Sequence, residues 1–231
     1  MIAPLRRLAN SLRYCPTLLL PLLCSCDPAP PAAPAPPRQA IASVRYQELD
    51  RTLRAELVLR PADTLAGAPA PTFMGSAMLF PPSGDRSRYL GQRTIDFPDE
   101  LRLTVPRGPE HPPTEITYRL ARPFVDSLPP TLSATTGARF PALTAPLDSA
   151  QHLIFFLEPA DRSQRPHRIL LDGPTRSTTV FLADEALASV PPGDYTAYLI
   201  RQQLDRGEQD GVTYSIQTEY FTRSKQLTIR E

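Results

Sequence analysis

The chain has little of several residue types on which common protein functions depend. Its 231 residues include no tryptophan, three cysteines and three histidines. Cys15, Cys24 and Cys26 all lie within the first 26 residues, so the rest of the chain cannot form a disulfide and its stability must come from a hydrophobic core. Basic and acidic residues are almost balanced, at 25 against 24. Because a nucleic-acid-binding protein needs a basic face, we expect no nucleic-acid partner.

Residues 1–25 have the composition of an export signal. Arg6, Arg7 and Arg13 precede a short apolar stretch at residues 18–24, and no acidic residue occurs before Asp27. A positive segment followed by a brief apolar core is typical of a cleavable signal peptide. The apolar stretch is much shorter than the roughly 20 residues that a helix needs to cross a bilayer. We therefore predict a signal peptide and not a transmembrane anchor.

The end of this segment resembles the lipobox of bacterial lipoproteins. Leu23 occupies the aliphatic position, Ser25 the small position and Cys26 the modified position, whereas Cys24 departs from the usual residue types. The resemblance implies that Cys26 receives a diacylglycerol thioether, becomes the first residue after cleavage and carries acyl chains such as palmitate. Each buried acyl methylene contributes about 0.8 kcal/mol, so several chains form a stable anchor. The predicted location is the bacterial cell envelope, with the protein anchored in a membrane and facing the periplasm or the cell surface.

Two other targeting hypotheses fit residues 1–25. A mitochondrial transit peptide or an ordinary secretory signal would also be basic and free of acids.

Residues 26–40 then form the lipidated cysteine and a linker rich in proline and alanine. Proline-rich segments favour extended polyproline II structure at about 3.1 Å per residue, so the linker is expected to be a stalk of roughly 30 Å. Removing the three signal arginines from the 25 basic residues leaves 22 against 24 acidic ones, a formal charge of −2.

From residue 41 onward, apolar and polar residues alternate in short stretches, which is typical of half-buried β-strands. Such stretches occupy residues 53–60, 101–105 and 116–120, and the apolar run at 151–158 indicates a strand buried on both faces. The chain contains 29 prolines, which break helices and remove a donor from a sheet. The sequence therefore predicts an all-β fold whose one helical turn lies at residues 184–189.

The C-terminal part resembles the immunoglobulin-like and fibronectin type III sandwiches. Residues 187–200 contain a leucine, a proline-glycine corner and Tyr195 at the start of an alternating strand. The resemblance implies that the Tyr195 hydroxyl bonds to upstream backbone. A loop at 205–211 ending in Asp210-Gly211 predicts a terminal hairpin. We predict tandem sandwich domains at residues 41–130 and 131–231, with one elongated sandwich as the alternative; an antibody-type domain is excluded because tryptophan and a cysteine pair are missing.

Few residues are candidates for chemistry. His152 and Glu158 should share one strand face, and His167 with Asp172 could approach them as metal ligands, but no paired histidine spacing supports such a site. His111 falls in a loop. The segment at residues 75–77, Gly-Ser-Ala, lacks the flanking pattern of a hydrolase nucleophile elbow, and its glycine is better explained by a bulge or close packing. We predict no catalytic, cofactor-binding or metal-binding residue, so the lipidation site Cys26 is the one functional residue assigned.

Two function classes fit these observations. The first is a non-catalytic envelope lipoprotein whose sandwich domains bind or scaffold a protein or glycan through loops or an exposed sheet. The second is a periplasmic or surface enzyme whose catalytic residues converge from distant loops. A deep pocket lined by His152, His167 and acids would favour the enzyme. A flat sheet with exposed aromatic residues such as Tyr89, Tyr198 or Tyr220 would favour binding, which is the function we predict.

Overall fold

β-Strands make up most of this computed structural model, which describes residues 37–61, 67–81, 87–161 and 164–231. The described residues form fifteen strands and one short helix. The first seven strands are β1 (Arg38–Gln47), β2 (Thr52–Arg60), β3 (Thr72–Phe73), β4 (Ser76–Ala77), β5 (Arg88–Thr94), β6 (Leu101–Val105) and β7 (Thr114–Tyr118). The remaining elements are β8 (Thr131–Ser133), β9 (Ala138–Pro141), β10 (Gln151–Pro159), β11 (His167–Asp172), β12 (Thr179–Leu182), α1 (Asp184–Leu187), β13 (Gly193–Gln209), β14 (Val212–Phe221) and β15 (Lys225–Arg230).

Nine strands form one continuous sheet in which β13 is the longest member. Seven of them follow the order β11-β10-β13-β14-β1-β2-β5, while β15 pairs with the first part of β13 and β8 pairs with β15. Most neighbours are antiparallel, but β1 runs parallel to β14 and β8 runs parallel to β15. Because β13 spans 17 residues, it pairs with β10 and β15 in its first part and with β14 in its second.

Two hydrophobic cores lie on the same face of this sheet. The first is enclosed between β14, β1, β2 and β5 and a four-stranded sheet of order β4-β3-β6-β7. The second lies under β10, β13 and β15 and is covered by the two-stranded sheet of β9 and β12 and by α1. Each fully buried leucine or phenylalanine contributes about 1.5–3 kcal/mol. The largest buried apolar side chains include Phe73, Leu53, Leu57 and Leu101 in the first core and Phe140, Phe155, Leu153 and Tyr195 in the second.

The prediction of an all-β fold built from sandwiches is confirmed. α1 is the only helix among the described residues, and it begins at Asp184 as predicted. Tyr195 is buried at the start of β13, and its hydroxyl donates a hydrogen bond of 2.7 Å to the backbone oxygen of Pro191. This is the corner geometry that the resemblance to immunoglobulin-like sandwiches implied. Burial raises the pKa of the Tyr195 hydroxyl, which therefore remains a donor at neutral pH.

Three local predictions are wrong, each for a physical reason. The predicted loop at 205–211 is strand as far as Gln209, because β13 continues to pair with β14 down to a turn at Asp210 and Gly211. β10 is fully buried on one face alone, since Ile154 and Phe156 on the other face are half-buried. Gly75 marks neither a bulge nor close packing: with φ of +76° it lies in the two-residue turn that joins β3 to β4.

The first core is not built from one continuous part of the chain. Strand β1 begins at Arg38, inside the predicted linker, because it pairs with β14 from Arg38 onward. Val212, Ile216 and Tyr220 of β14 belong to the first core, although they lie in the last 20 residues of the chain. The second core includes residues from 125 to 229. The division into domains at residues 41–130 and 131–231 stays a prediction, while the strand pairing shows that both cores share one sheet.

Candidate binding surface

The nine-stranded sheet has one face that is not covered by either core. Residues of β1, β10, β13 and β14 largely alternate between buried and more exposed positions, and their buried apolar members belong to the two cores, except Ile200 of β13. The alternate members therefore point to the opposite side, since side chains alternate across a strand. We call this side of the sheet the open face.

Three aromatic rings from three neighbouring strands lie in a row across the open face. Phe156 of β10 stacks on Tyr198 of β13, with ring centroids 4.9 Å apart and planes at 24°. Tyr198 in turn lies 6.4 Å from the ring of Phe221 in β14. The guanidinium group of Arg168 lies 5.3 Å from the Phe156 ring centre, and that of Arg45 lies 5.0 Å from the Phe221 ring centre. We call Phe156, Tyr198 and Phe221 the aromatic ladder.

A guanidinium group lies over the outer ring at each end of the aromatic ladder, and this limits which groups of a partner can contact the rings. Phe156 and Tyr198 stack on each other, and Phe221 is tilted beside Tyr198. Cation–π contacts at partly exposed sites contribute about 0.5–1 kcal/mol each. A surface of this kind suits apolar side chains that pack against ring edges, and not the flat stacking of a sugar ring.

The hydroxyl of Tyr198 adds a polar group to the ladder. It donates to Oε1 of Glu158 at 3.5 Å. Burial, together with the nearby Glu158 carboxylate, raises the pKa of Tyr198 to about 12. The hydroxyl is therefore protonated throughout the physiological range.

A row of aliphatic side chains runs beside the ladder. Leu170 of β11 lies opposite Ile154 of β10, Ile154 lies opposite Ile200 of β13, and Ile200 lies opposite Phe221. Leu170 is 57% exposed, while Ile200 is covered by its neighbours. The row and the ladder together make a continuous apolar strip over four strands, and Phe221 belongs to both.

A groove of about 950 Å³ lies on the open face above β1, β2 and β5. One wall carries Leu79 and Phe80, whose side chains are 71% and 53% exposed. Leu79 is held there by two backbone hydrogen bonds with Leu90, of 2.9 and 2.7 Å. The floor is polar and includes Ser43, Arg45, Arg54, Glu56, Gln92 and Gln217.

One ion pair connects the groove to the aromatic ladder. Arg45 donates to the Glu219 carboxylate through Nε and Nη2 at 2.9 and 2.8 Å. Gln202 donates its side-chain amide to the other carboxylate oxygen at 2.7 Å. Since Arg45 also caps Phe221, this pair holds the guanidinium over the ladder. The groove and the ladder therefore form one connected surface.

Two of the three tyrosines whose exposure would favour binding are buried. Tyr89 and Tyr220 are 4% and 3% exposed and lie in the first core, so they do not provide that evidence. Their positions in the strands point inward, with Tyr220 opposite the buried Arg201. Tyr198 is half-buried and does lie on the open face. Phe156 and Phe221 were missed, because single-strand alternation does not reveal which side chains of different strands become neighbours.

The residues considered as metal ligands are brought together only in part. His152 and Asp172 lie opposite each other in β10 and β11, with Nδ1 and Oδ1 2.6 Å apart. Glu158 lies six residues further along β10, beside Tyr198. His167 lies opposite Leu157 on the core side of the sheet, with its ring edge toward Tyr195. Within the described ranges, no group of three potential metal ligands occurs.

The other sequence candidates have simple structural positions. His111 lies between β6 and β7, outside any strand. Ser76 begins β4 directly after the turn at Gly75, in a hairpin and not in a strand-to-helix elbow. Cys26 and the whole of the predicted signal peptide fall outside the described residues. Among the helices of the part that is described, none has the length and apolar character to span a membrane.

Comparison with known proteins adds little to this description. No protein-family model matches the chain, and no curated protein matches its sequence. Among solved structures, the chain is similar to an ectodomain fragment of ICAM-5 comprising D1-D4, with 10% sequence identity and a TM-score of 0.23. The match covers 84% of this chain and 51% of the ICAM-5 fragment, so the chain spans about half of that fragment. The fold assignment therefore depends on the strand pairing and the cores themselves.

Proposed function

We propose that the protein is a non-catalytic envelope lipoprotein, anchored in a membrane through lipid on Cys26, that binds a partner on the open face. The observation that carries the binding function is the continuous surface formed by the aromatic ladder and the groove. An exposed apolar surface rimmed by polar groups is typical of an interaction site. The anchor is supported by the lipobox residues Leu23, Ser25 and Cys26 and by the proline-rich segment that follows them.

A protein partner fits this surface better than a glycan does. Sugar rings are recognised on open aromatic faces, whereas Phe156 and Tyr198 stack on each other and arginines lie over the two outer rings of the ladder. The groove combines the apolar side chains of Leu79, Phe80 and Leu90 with polar groups on its floor. Apolar anchors placed beside a few polar groups are the usual composition of a site that binds a peptide segment.

The alternative of an enzyme has less support. The lining of the groove includes no histidine and no aspartate among the described residues. Both acidic side chains in it are held in ion pairs, Glu219 with Arg45 and Glu56 with Arg88. Neither histidine of β10 and β11 lines it, and in the sheet order β10 lies three strands from β1.

Site-specific photocrosslinking in a bacterial envelope tests the binding proposal. The full chain carries a photoreactive phenylalanine derivative at Gln92, which is exposed in the groove, or at Thr117 as a matched control. Thr117 is equally exposed but lies on β7, outside the open face. We expect a discrete adduct of higher mass from Gln92 and none from Thr117.

The same experiment includes a variant that weakens the groove. Replacing Leu79 and Phe80 by serine removes the apolar wall and should reduce the adduct from Gln92 roughly tenfold or more. Equal adducts from Gln92 and Thr117, or no adduct from either position, would show that the open face is not the binding surface.

A further inference from the structure

The strand β11 leaves one edge of the nine-stranded sheet open. Among the described residues, β11 pairs with β10 alone, and the strand order places it at the end of the sheet. At the other end, Leu79 pairs with Leu90 through two backbone hydrogen bonds and covers part of β5. An uncovered edge presents a row of backbone donors and acceptors to another strand.

The pairing of β10 with β11 shows which backbone groups face outward. Gly173 donates its N–H to the backbone oxygen of Gln151 at 3.0 Å, in register with the β10–β11 pairing. In an antiparallel ladder, hydrogen-bonded pairs alternate with non-hydrogen-bonded pairs. The backbone N–H and C=O groups of Arg168, Leu170 and Asp172 therefore point away from β10. These three residues are exposed, and their side chains lie on the open face.

The side chains on this edge are symmetric about Leu170 in a way that fits a second copy. When two copies of β11 run antiparallel with Leu170 opposite Leu170, Arg168 of each copy lies opposite Asp172 of the other. Unlike charges that lie directly opposite each other on neighbouring strands stabilise a sheet, and like charges destabilise it. The two aliphatic rows would also become one, because Leu170 is the last residue of each row.

Prolines restrict the pairing to this register. Pro166 precedes the strand and Pro174 follows it, at equal distances from Leu170. A shift by two residues in either direction places one of these prolines opposite Arg168 or Asp172, at a position that should donate an N–H. The shift also separates the opposite charges. The register centred on Leu170 leaves both prolines beyond the paired residues 168–172 and keeps the opposite charges together.

We infer that the protein forms a two-fold symmetric dimer in which β11 of one copy pairs antiparallel with β11 of a second copy, joining the two sheets. A two-fold interface uses the same surface on both partners, so each contact occurs twice. The arrangement leaves the groove above β1, β2 and β5 uncovered. The inference goes beyond the proposed partner-binding function because it uses the backbone groups at the β11 edge, although Arg168 and Leu170 also lie on the open face.

Disulfide trapping tests the register. In the expected dimer the two Leu170 Cα atoms lie about 5.5 Å apart, within the range that a disulfide spans. The full chain with Leu170→Cys should form a covalent dimer under mild oxidation in the membrane. Phe181→Cys is the matched control, because Phe181 has a similar exposure of 47% but lies on β12. The parent chain supplies the baseline for its own three cysteines. Equal cross-linking of the two variants would overturn the inference.

Charge reversal tests the contacts without a covalent bond. Sedimentation of the full chain, with serine at positions 15, 24 and 26, measures the dimer dissociation constant. Arg168→Asp makes both inter-copy pairs repulsive and should weaken the dimer by about 10- to 100-fold. Adding Asp172→Arg restores opposite charges and should restore the dimer. A parent chain that stays monomeric, or a dissociation constant that Arg168→Asp leaves unchanged, would overturn the proposed dimer.

Discussion

Replacing Arg201 by methionine is expected to destabilise the fold by about 3–5 kcal/mol. Arg201 is 1% exposed and lies in β13 between the two cores. Its guanidinium group donates to the backbone oxygens of Ala145 and Pro146 at 3.1 Å each and also to the side-chain oxygen of Gln151. These contacts attach the segment before β10 to the middle of the sheet.

The magnitude follows from the acceptors that the substitution leaves behind. Methionine keeps the apolar stem but removes three charge-assisted hydrogen bonds, each of which contributes about 1.5–3 kcal/mol. Part of this gain is offset in the wild type, because burial opposes the charged form and lowers the pKa of Arg201 to about 10. We therefore expect Arg201→Met to lower the free energy of unfolding by less than the sum of the three hydrogen bonds, and by about as much as breaking a buried ion pair does.

Urea unfolding of the full chain carrying Cys26→Ala measures this cost. With a denaturant dependence of about 2–3 kcal/mol per molar for a chain of this size, the midpoint should fall by roughly 1–2 M. Arg206→Met is the control, since Arg206 is exposed on the same strand and its replacement should change stability by less than about 0.5 kcal/mol. The reasoning is refuted if Arg201→Met and Arg206→Met shift the midpoint equally.

Three further predictions concern single positions. Tyr195→Phe removes the hydrogen bond to Pro191 and should cost about 1 kcal/mol in thermal or urea unfolding, whereas an unchanged midpoint would mean that the corner bond adds nothing. Gly137→Ala should lower the free energy of unfolding more than Gly211→Ala. Both glycines have positive φ, but a Cβ at Gly137 would lie 2.3 Å from the backbone oxygen of Leu182, whereas one at Gly211 meets nothing within 4 Å. Equal losses of stability for the two variants would contradict the packing at Gly137. Burial raises the pKa of Asp205 above its ordinary value of 3.8, so the folded state holds its proton more tightly and the stability from this group is lost as pH rises through its folded pKa. Asp205→Asn should therefore gain stability relative to wild type as pH rises from 3 toward neutrality in unfolding measurements, and a difference that is constant with pH would contradict this.

The parts of the fold that depend on local patterns could be predicted from the sequence. Alternation along β2, β6 and β7 indicates half-buried strands, and these strands are present. The corner at Tyr195 could be predicted because the proline-glycine turn and the tyrosine lie within five residues of each other. The helical turn at Asp184 follows from its helix-forming residues in the same local way.

The parts that depend on long-range pairing could not be predicted in this way. β1 and β14 run parallel although 164 residues lie between Gln47 at the end of β1 and Val212 at the start of β14, and no local pattern specifies that pairing. The polar end of β13 resembles a loop in composition, yet it is held as strand by β14 and by a hydrogen bond from Gln209 to the backbone of Glu115. The aromatic ladder draws one ring from each of three strands, so it exists only once the sheet order is known.

The lipid anchor is the part of the account that a single measurement tests most directly. The full chain and its Cys26→Ala variant are expressed in a bacterium, and the intact mass and membrane partition of each are compared. The account predicts that the wild-type chain begins at Cys26, carries the added mass of acyl chains and remains with the membrane, while the variant is unmodified and is released. Two chains with the same unmodified mass and the same soluble behaviour would contradict it.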